Sequence, residues 1–152
     1  MGEAVNHCEA YSDPFCRFVD PKDRRFEDTK LMSGLGDSRI RSIVALAPVT
    51  AYFSDAELAT LTVPIFVFAP AQDAELSPTA NSERLRDNIQ TGLTFYEEPE
   101  AGHFSVLPVF PEATWGEVPI VLRADIEGFD RSAFHQRLFY RVVGFLDESL
   151  SH

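Results

Sequence analysis

No apolar run in this sequence approaches the roughly 20 residues that a membrane-spanning helix requires. A membrane is therefore not an expected partner. The first residues, MGEAVNHCEAYSD, also lack the basic stretch and apolar stretch of a secretory signal. Asn6 stands where N-myristoylation after Gly2 needs Ser or Thr. Positive charge is scarce. Lys and Arg number 13 against 24 Asp and Glu, and at a formal net charge of -11 a phosphate backbone is repelled, so nucleic acid is a poor partner. A single Trp accompanies 13 Phe. Phe has no polar atom to satisfy when buried, so the aromatics are expected in a packed core. Cysteine is limited to Cys8 and Cys16. The two either close a local disulfide, as an oxidising compartment would allow, or remain buried thiols. His7 beside Cys8 raises zinc as well, but a fourth ligand at a sensible spacing is missing, and no metal is expected. The compartment itself is not legible.

What is present suits one domain. The 152 residues, 45% of them hydrophobic, are enough to close a core. Residues 1–36 are irregular in pattern, with turn signals at Asp13-Pro14 and Asp20-Pro21. The mixed-charge stretch from Lys22 to Lys30 reads as a solvated face, with Arg24-Arg25 part of it rather than a binding patch. After Gly34 and Gly36 the character changes. Ile40 to Ala47 ends in an apolar run stopped by Pro48, Val63 to Ala69 is a second stopped by Pro70, and Leu93 to Tyr96 is a third. Continuous runs of β-branched and aromatic residues suit strands buried on both faces, as in a parallel sheet.

Helical pieces fall between the runs. Ser54 to Leu58 reads as a short helix opened by a polar cap. Asn81 to Ile89 reads as another, with Leu85 and Ile89 on one face. From Ser132 to about Leu150, Phe134, Leu138, Val142, Phe145 and Leu146 form a single stripe. Strand, helix, strand, helix, strand, helix is the pattern of an α/β fold, with about three parallel strands flanked by helices. Pro108 to Phe129 reads as a long loop of the kind that often forms a lid. Its Phe110 and Trp115 either line a pocket or pack locally.

Two places follow strand ends, where parallel sheets carry their sites. One is Ala69-Pro70-Ala71-Gln72-Asp73 and the other Glu100-Ala101-Gly102-His103-Phe104. A carboxylate after one strand and a histidine after the next can meet above the sheet. The imidazole then takes a proton from a nucleophile, and the carboxylate holds its tautomer and stabilises its charged form. Asp73 is the candidate acid, with Glu75 as a minor rival, and His103 the candidate base. His135 lies within the last helix and reads as a partly exposed helix residue.

The segments DSRIRSIVALAP, VPIFVFAPAQDAELSPTANSERL, EAGHFSVL and FDRSAFHQRL, with HCEAYSDPFC before them, together resemble the bacterial dienelactone-hydrolase-like α/β-hydrolases over roughly residues 5–150. The resemblance is to the C-terminal half of that fold, and it implies ester hydrolysis through an acyl-enzyme on serine, with Asp73 as acid and His103 as base. The chain order nucleophile, acid, histidine agrees. The sequence departs from the family at the nucleophile, because it contains no Gly-x-Ser-x-Gly elbow. Ser33-Gly34 is the nearest look-alike, but it lacks the glycine two residues before the serine, and no buried strand precedes it.

Three functions are compatible with this. The chain contributes Asp73 and His103 to hydrolysis of a small-molecule ester and needs a serine from elsewhere. Or it is a non-catalytic binding or assembly module that keeps the fold. Or it is a truncated gene product. No organic cofactor is implied, because triad chemistry supplies its own nucleophile and base. A half-sheet leaves the Ile40–Ala47 strand as an open edge, so self-association or pairing with a complementary N-terminal half is expected.

Overall fold

The three apolar runs pair as a parallel sheet in the order β1-β2-β3, with β1 at Ile43–Leu46, β2 at Ile65–Pro70 and β3 at Leu93–Glu98. The computed structural model describes residues 3–19 and 37–151. Ser33, Gly34 and Gly36, the Asp20-Pro21 turn and the Lys22–Lys30 stretch with Arg24-Arg25 lie outside the described residues. Every residue of β2 is buried, as the reading of its sequence requires. The edge strands differ from that reading. β1 is only half-buried and exposes Leu46, while β3 exposes Thr94 and Glu97. A central strand has neighbours on both sides and helices on both faces, whereas each edge strand pairs on one side only among the described residues.

Side-chain alternation along the strands creates two cores. On one face Phe66 and Phe68 of β2 pack against Phe134, Leu138 and Phe145 of the last helix, with Val44, Tyr96, Val142 and Leu146 at the margin. On the other, Ile65 and Val67 pack with Leu58, Leu85 and Ile89, joined by Ile43, Ala45 and Phe95. Helices α1 (Glu3–Ala10), α2 (Asp55–Leu58), α3 (Ser82–Asn88), α4 (Ile120–Arg123) and α5 (Arg131–Leu150) surround the sheet in sequence. Among the described residues no helix is long and apolar enough to cross a membrane.

Local chemistry explains the boundaries. Ser54 caps α2 in a reciprocal box: its hydroxyl accepts from the Glu57 amide, and the Glu57 carboxylate accepts from the Ser54 amide at 2.8 Å. Asp130 caps α5 by accepting from the Ala133 amide at 2.9 Å. Gly92 turns the chain into β3 at a φ of 71°, and a Cβ there would meet Pro64 Cα at 3.3 Å. Ala47 leaves β1 at a φ of 48°, a left-handed conformation that costs a non-glycine residue, while its amide still donates to the Phe68 carbonyl at 3.0 Å. The Pro108–Phe129 stretch is more structured than its sequence suggests, with a 3-10 turn at Glu112–Thr114 and then α4.

Phe134 is the residue on which α5 seats. It is fully buried, 5.1 Å from the Phe68 ring and 5.4 Å from that of Phe129. Phe134→Ala is expected to cost about 3–5 kcal/mol. Urea unfolding of the variant beside the parent checks this.

Candidate functional site

The exits of β2 and β3 are stapled together before either candidate residue is reached. The Ala71 amide donates to the Glu98 carbonyl at 3.1 Å, and the Gln72 amide to that of Ala101 at 3.0 Å. The Gln72 side chain adds a bond to the Pro99 carbonyl at 3.0 Å. Asp73 and His103 therefore leave adjacent strands side by side, and His103 Nδ1 lies 2.9 Å from Asp73 Oδ2.

Each oxygen of Asp73 has a separate task. Oδ1 accepts from the amides of Glu75 at 2.9 Å and Leu76 at 2.8 Å, which fixes the carboxylate in its own turn. Oδ2 is left for the imidazole. A carboxylate only accepts, so Nδ1 carries the proton and donates it, and Nε2 presents a lone pair. Burial separates the two roles: the Asp73 side chain is 4% exposed and that of His103 23%. The arrangement can take a proton from an incoming hydroxyl at Nε2. Glu75 is not the acid that meets His103, because its carboxylate pairs with Arg17.

His103 is braced from behind. His103 opens a 3-10 turn, His103–Val106, in which the Ser105 hydroxyl accepts from the Gly102 amide at 3.0 Å and donates to Asp125 Oδ1 at 2.7 Å. Arg131 grips the same Asp125 with two nitrogens, at 2.7 and 3.0 Å, and reaches the carbonyl of Leu122 at 3.1 Å. His135 Nε2 donates to the Ser105 carbonyl at 2.8 Å. The Phe104 ring stands edge-on to the His103 ring, 4.8 Å between centroids. Ser105, Asp125 and Arg131 are not singled out in the sequence, whereas His135 is half-buried in the last helix as read there and is also engaged in this turn. A cleft of about 190 Å³ opens beside His103, with Phe104, Val121 and Ile126 as apolar walls and Gln72, Glu75 and Asp125 as polar ones. Trp115 is not among its walls. Its indole N–H donates to the Phe110 carbonyl at 3.0 Å, and Arg123 lies over its ring.

A second histidine–carboxylate pair joins His7 to Asp13, which the sequence marks as a turn signal. His7 Nε2 is 2.7 Å from Asp13 Oδ2, with both side chains buried. Asp13 also accepts from Asn81 Nδ2 at 2.7 Å and from the amides of Ser77 at 3.1 Å and Phe15 at 3.2 Å. Cys8 and Cys16 are joined in a disulfide with a Cα–Cα distance of 5.5 Å. Both cysteines and His7 are thus committed to other bonds, and among the described residues no cluster of three or more His, Cys, Asp or Glu could hold a metal.

No family model, curated protein or solved structure matches this chain. The site is read from its own geometry.

Burial pushes the Asp13 carboxyl up. The hydrogen bonds from His7, Asn81 and the Ser77 and Phe15 amides outweigh burial and hold it below the ordinary 3.8. A depressed folded pKa means that the group stabilises the protein above its unfolded pKa and ceases to do so as pH falls through the folded one. The Asp13 contribution is therefore present at neutral pH and is lost as the pH drops below 3.8. Asp13→Asn is expected to lower the urea midpoint clearly at about pH 7, with the gap to the parent narrowing at about pH 3. Unfolding curves at the two pH values check this.

Proposed function

We propose that this chain is the acid–histidine part of an α/β-hydrolase of the dienelactone-hydrolase-like kind, acting on small carboxylic esters. The observation that carries the reading is the Asp73–His103 hydrogen bond of 2.9 Å, formed between the exits of adjacent parallel strands and facing a cleft. In this reading a serine hydroxyl gives its proton to His103 Nε2 as its oxygen attacks the ester carbonyl carbon. Asp73 stabilises the imidazolium through Nδ1. His103 then returns the proton to the departing alcohol, leaving an acyl-serine. A water attacks the acyl carbon with His103 again as base, and the acid product leaves.

Ser105, two residues from His103, does not supply the nucleophile in this reading. Ser105 is buried, and its hydroxyl is engaged by the Gly102 amide and Asp125. Among the described residues no serine hydroxyl is hydrogen-bonded to His103. The open side of β1 supports an outside source. Among the described residues β1 pairs only with β2, so its other edge can accept a further strand, from a complementary half or a second copy. The same edge supports an assembly role. Light scattering over a range of concentrations is expected to give a mass above that of a single chain, and a dispersed monomer throughout would count against the open-edge reading.

The acid–base pair has a direct test. A dyad without its serine can still draw a proton from water attacking an activated ester, at a rate far below that of a complete triad, where loss of the serine alone costs about 10⁶-fold in a serine protease. Turnover of p-nitrophenyl acetate is expected to be slow and to fall at least about tenfold in both His103→Ala and Asp73→Asn, the latter because the imidazole loses its tautomer. Equal rates in the parent and both variants would sink the catalytic reading.

A further inference from the structure

Three consecutive amides after β2 are divided between two carboxylates. Those of Glu75 and Leu76 donate to Asp73 Oδ1, and that of Ser77 donates to Asp13 Oδ1. Asp13 lies 60 residues earlier in the sequence than Asp73, yet it closes the same turn. It also holds Asn81 Nδ2, and Asn81 in turn donates to the Ser77 carbonyl at 3.0 Å and accepts from the Thr50 amide at 2.9 Å. The far ends of this small network are thus the turn that carries the acid and the segment that follows β1.

What holds Asp13 is the disulfide loop. Cys8 and Cys16 close an eight-residue separation with Asp13 inside it. His7, adjacent to Cys8, caps Asp13 from one side, and the Phe15 amide, adjacent to Cys16, caps it from the other. Arg17, on the far side of Cys16, pairs with Glu75 of the acid turn. Each half of the loop therefore grips either Asp13 or the turn itself. Both side chains of the His7–Asp13 pair are buried.

We propose that Asp13 is a positioning residue for Asp73, and that the Cys8–Cys16 disulfide holds it there, so that the Asp73–His103 geometry depends on a covalent link remote from both residues. The inference rests on the reading of Asp73 and His103 as the acid–base pair. Asp13 touches neither substrate nor base; it acts through the 73–77 turn.

The test is nuclear magnetic resonance on the whole chain, with two readouts: the His103 Nδ1–H resonance and the hydrogen-exchange rates of the Glu75 and Leu76 amides. The β2 amides of Phe66 and Val67 serve as the control for folding. In Cys8→Ser/Cys16→Ser and in Asp13→Asn, the Glu75 and Leu76 amides are expected to exchange about tenfold faster or more, as loss of a charge-assisted bond allows. The His103 Nδ1–H signal should shift or broaden, while β2 exchange stays as in the parent. Asp13→Glu, which keeps the carboxylate, should recover part of the effect. The double cysteine variant leaves Asp13 itself intact and so serves if Asp13→Asn does not fold. Unchanged exchange at Glu75 and Leu76, with an unchanged His103 signal, in the folded double cysteine variant overturns the inference alone. A parent His103 signal that is insensitive to Asp73→Asn overturns the functional reading, and the inference with it.

Discussion

Parallel strands release their chains at the same edge of a sheet, and here that edge assembles the site. Because β2 and β3 run in one direction in register, Ala69 opposite Glu97 and Pro70 opposite Glu98, the segments after them begin as neighbours. Two backbone bonds, from Ala71 and Gln72, extend the pairing past the strands. A carboxylate three residues beyond one strand and an imidazole five beyond the other then meet without either loop having to reach. An antiparallel partner in place of β3 would send its chain to the opposite edge. The two cores serve the same end by fixing β2 from both faces.

Asp73 and His103 are held by different devices. Asp73 sits in a turn whose amides are shared with Asp13, so its support is a web of N–H groups on carboxylate oxygens. His103 sits on a 3-10 turn whose support is the Ser105 hydroxyl, Asp125 and the forked Arg131 guanidinium. The side chains of Asp125 and Arg131 are 13% and 6% exposed, so the pair is a largely buried one, satisfied by several hydrogen bonds rather than by its Coulomb attraction alone. Removing one partner of such a pair strands a charge, which makes these supports costlier to lose than their distance from the His103 ring suggests.

Much of this arrangement is legible in the sequence, and the reasons for the rest are physical. The runs around Val44, Phe66 and Phe95 mark the strands because apolar β-branched and aromatic residues have few other uses in short stretches. The stripe from Phe134 to Leu146 marks α5 because a 3.6-residue repeat leaves it no other face to bury. Asp73 and His103 stand out by following strand ends. Burial on both faces holds for β2 alone, since a run of letters does not say which strand is central. The Asp13 hub escaped notice because two of its partners, Ser77 and Asn81, stand 64 and 68 residues away and follow no periodicity. The disulfide stayed open for a similar reason: a spacing of eight residues does not fix a Cα–Cα distance. Ser105, Asp125 and Arg131 are single polar letters, of which Asp125 alone lies in the stretch read as a loop, and only the folded chain shows that they converge.

One wall of the cleft comes from a different stretch of chain than Asp73 and His103. Asp73 and His103 are set by strand exits, whereas Val121, Ala124 and Ile126 come from the connection between the His103 turn and α5. That connection contributes short helices and no strand, and Ile120, Val121 and Ile126 are exposed. Substitutions at Val121 or Ile126 would reshape the space beside the imidazole without touching the sheet or the Asp125 brace. A lineage built on this scaffold has a route to new molecular preferences in which the part that varies and the part that must be kept are not the same residues.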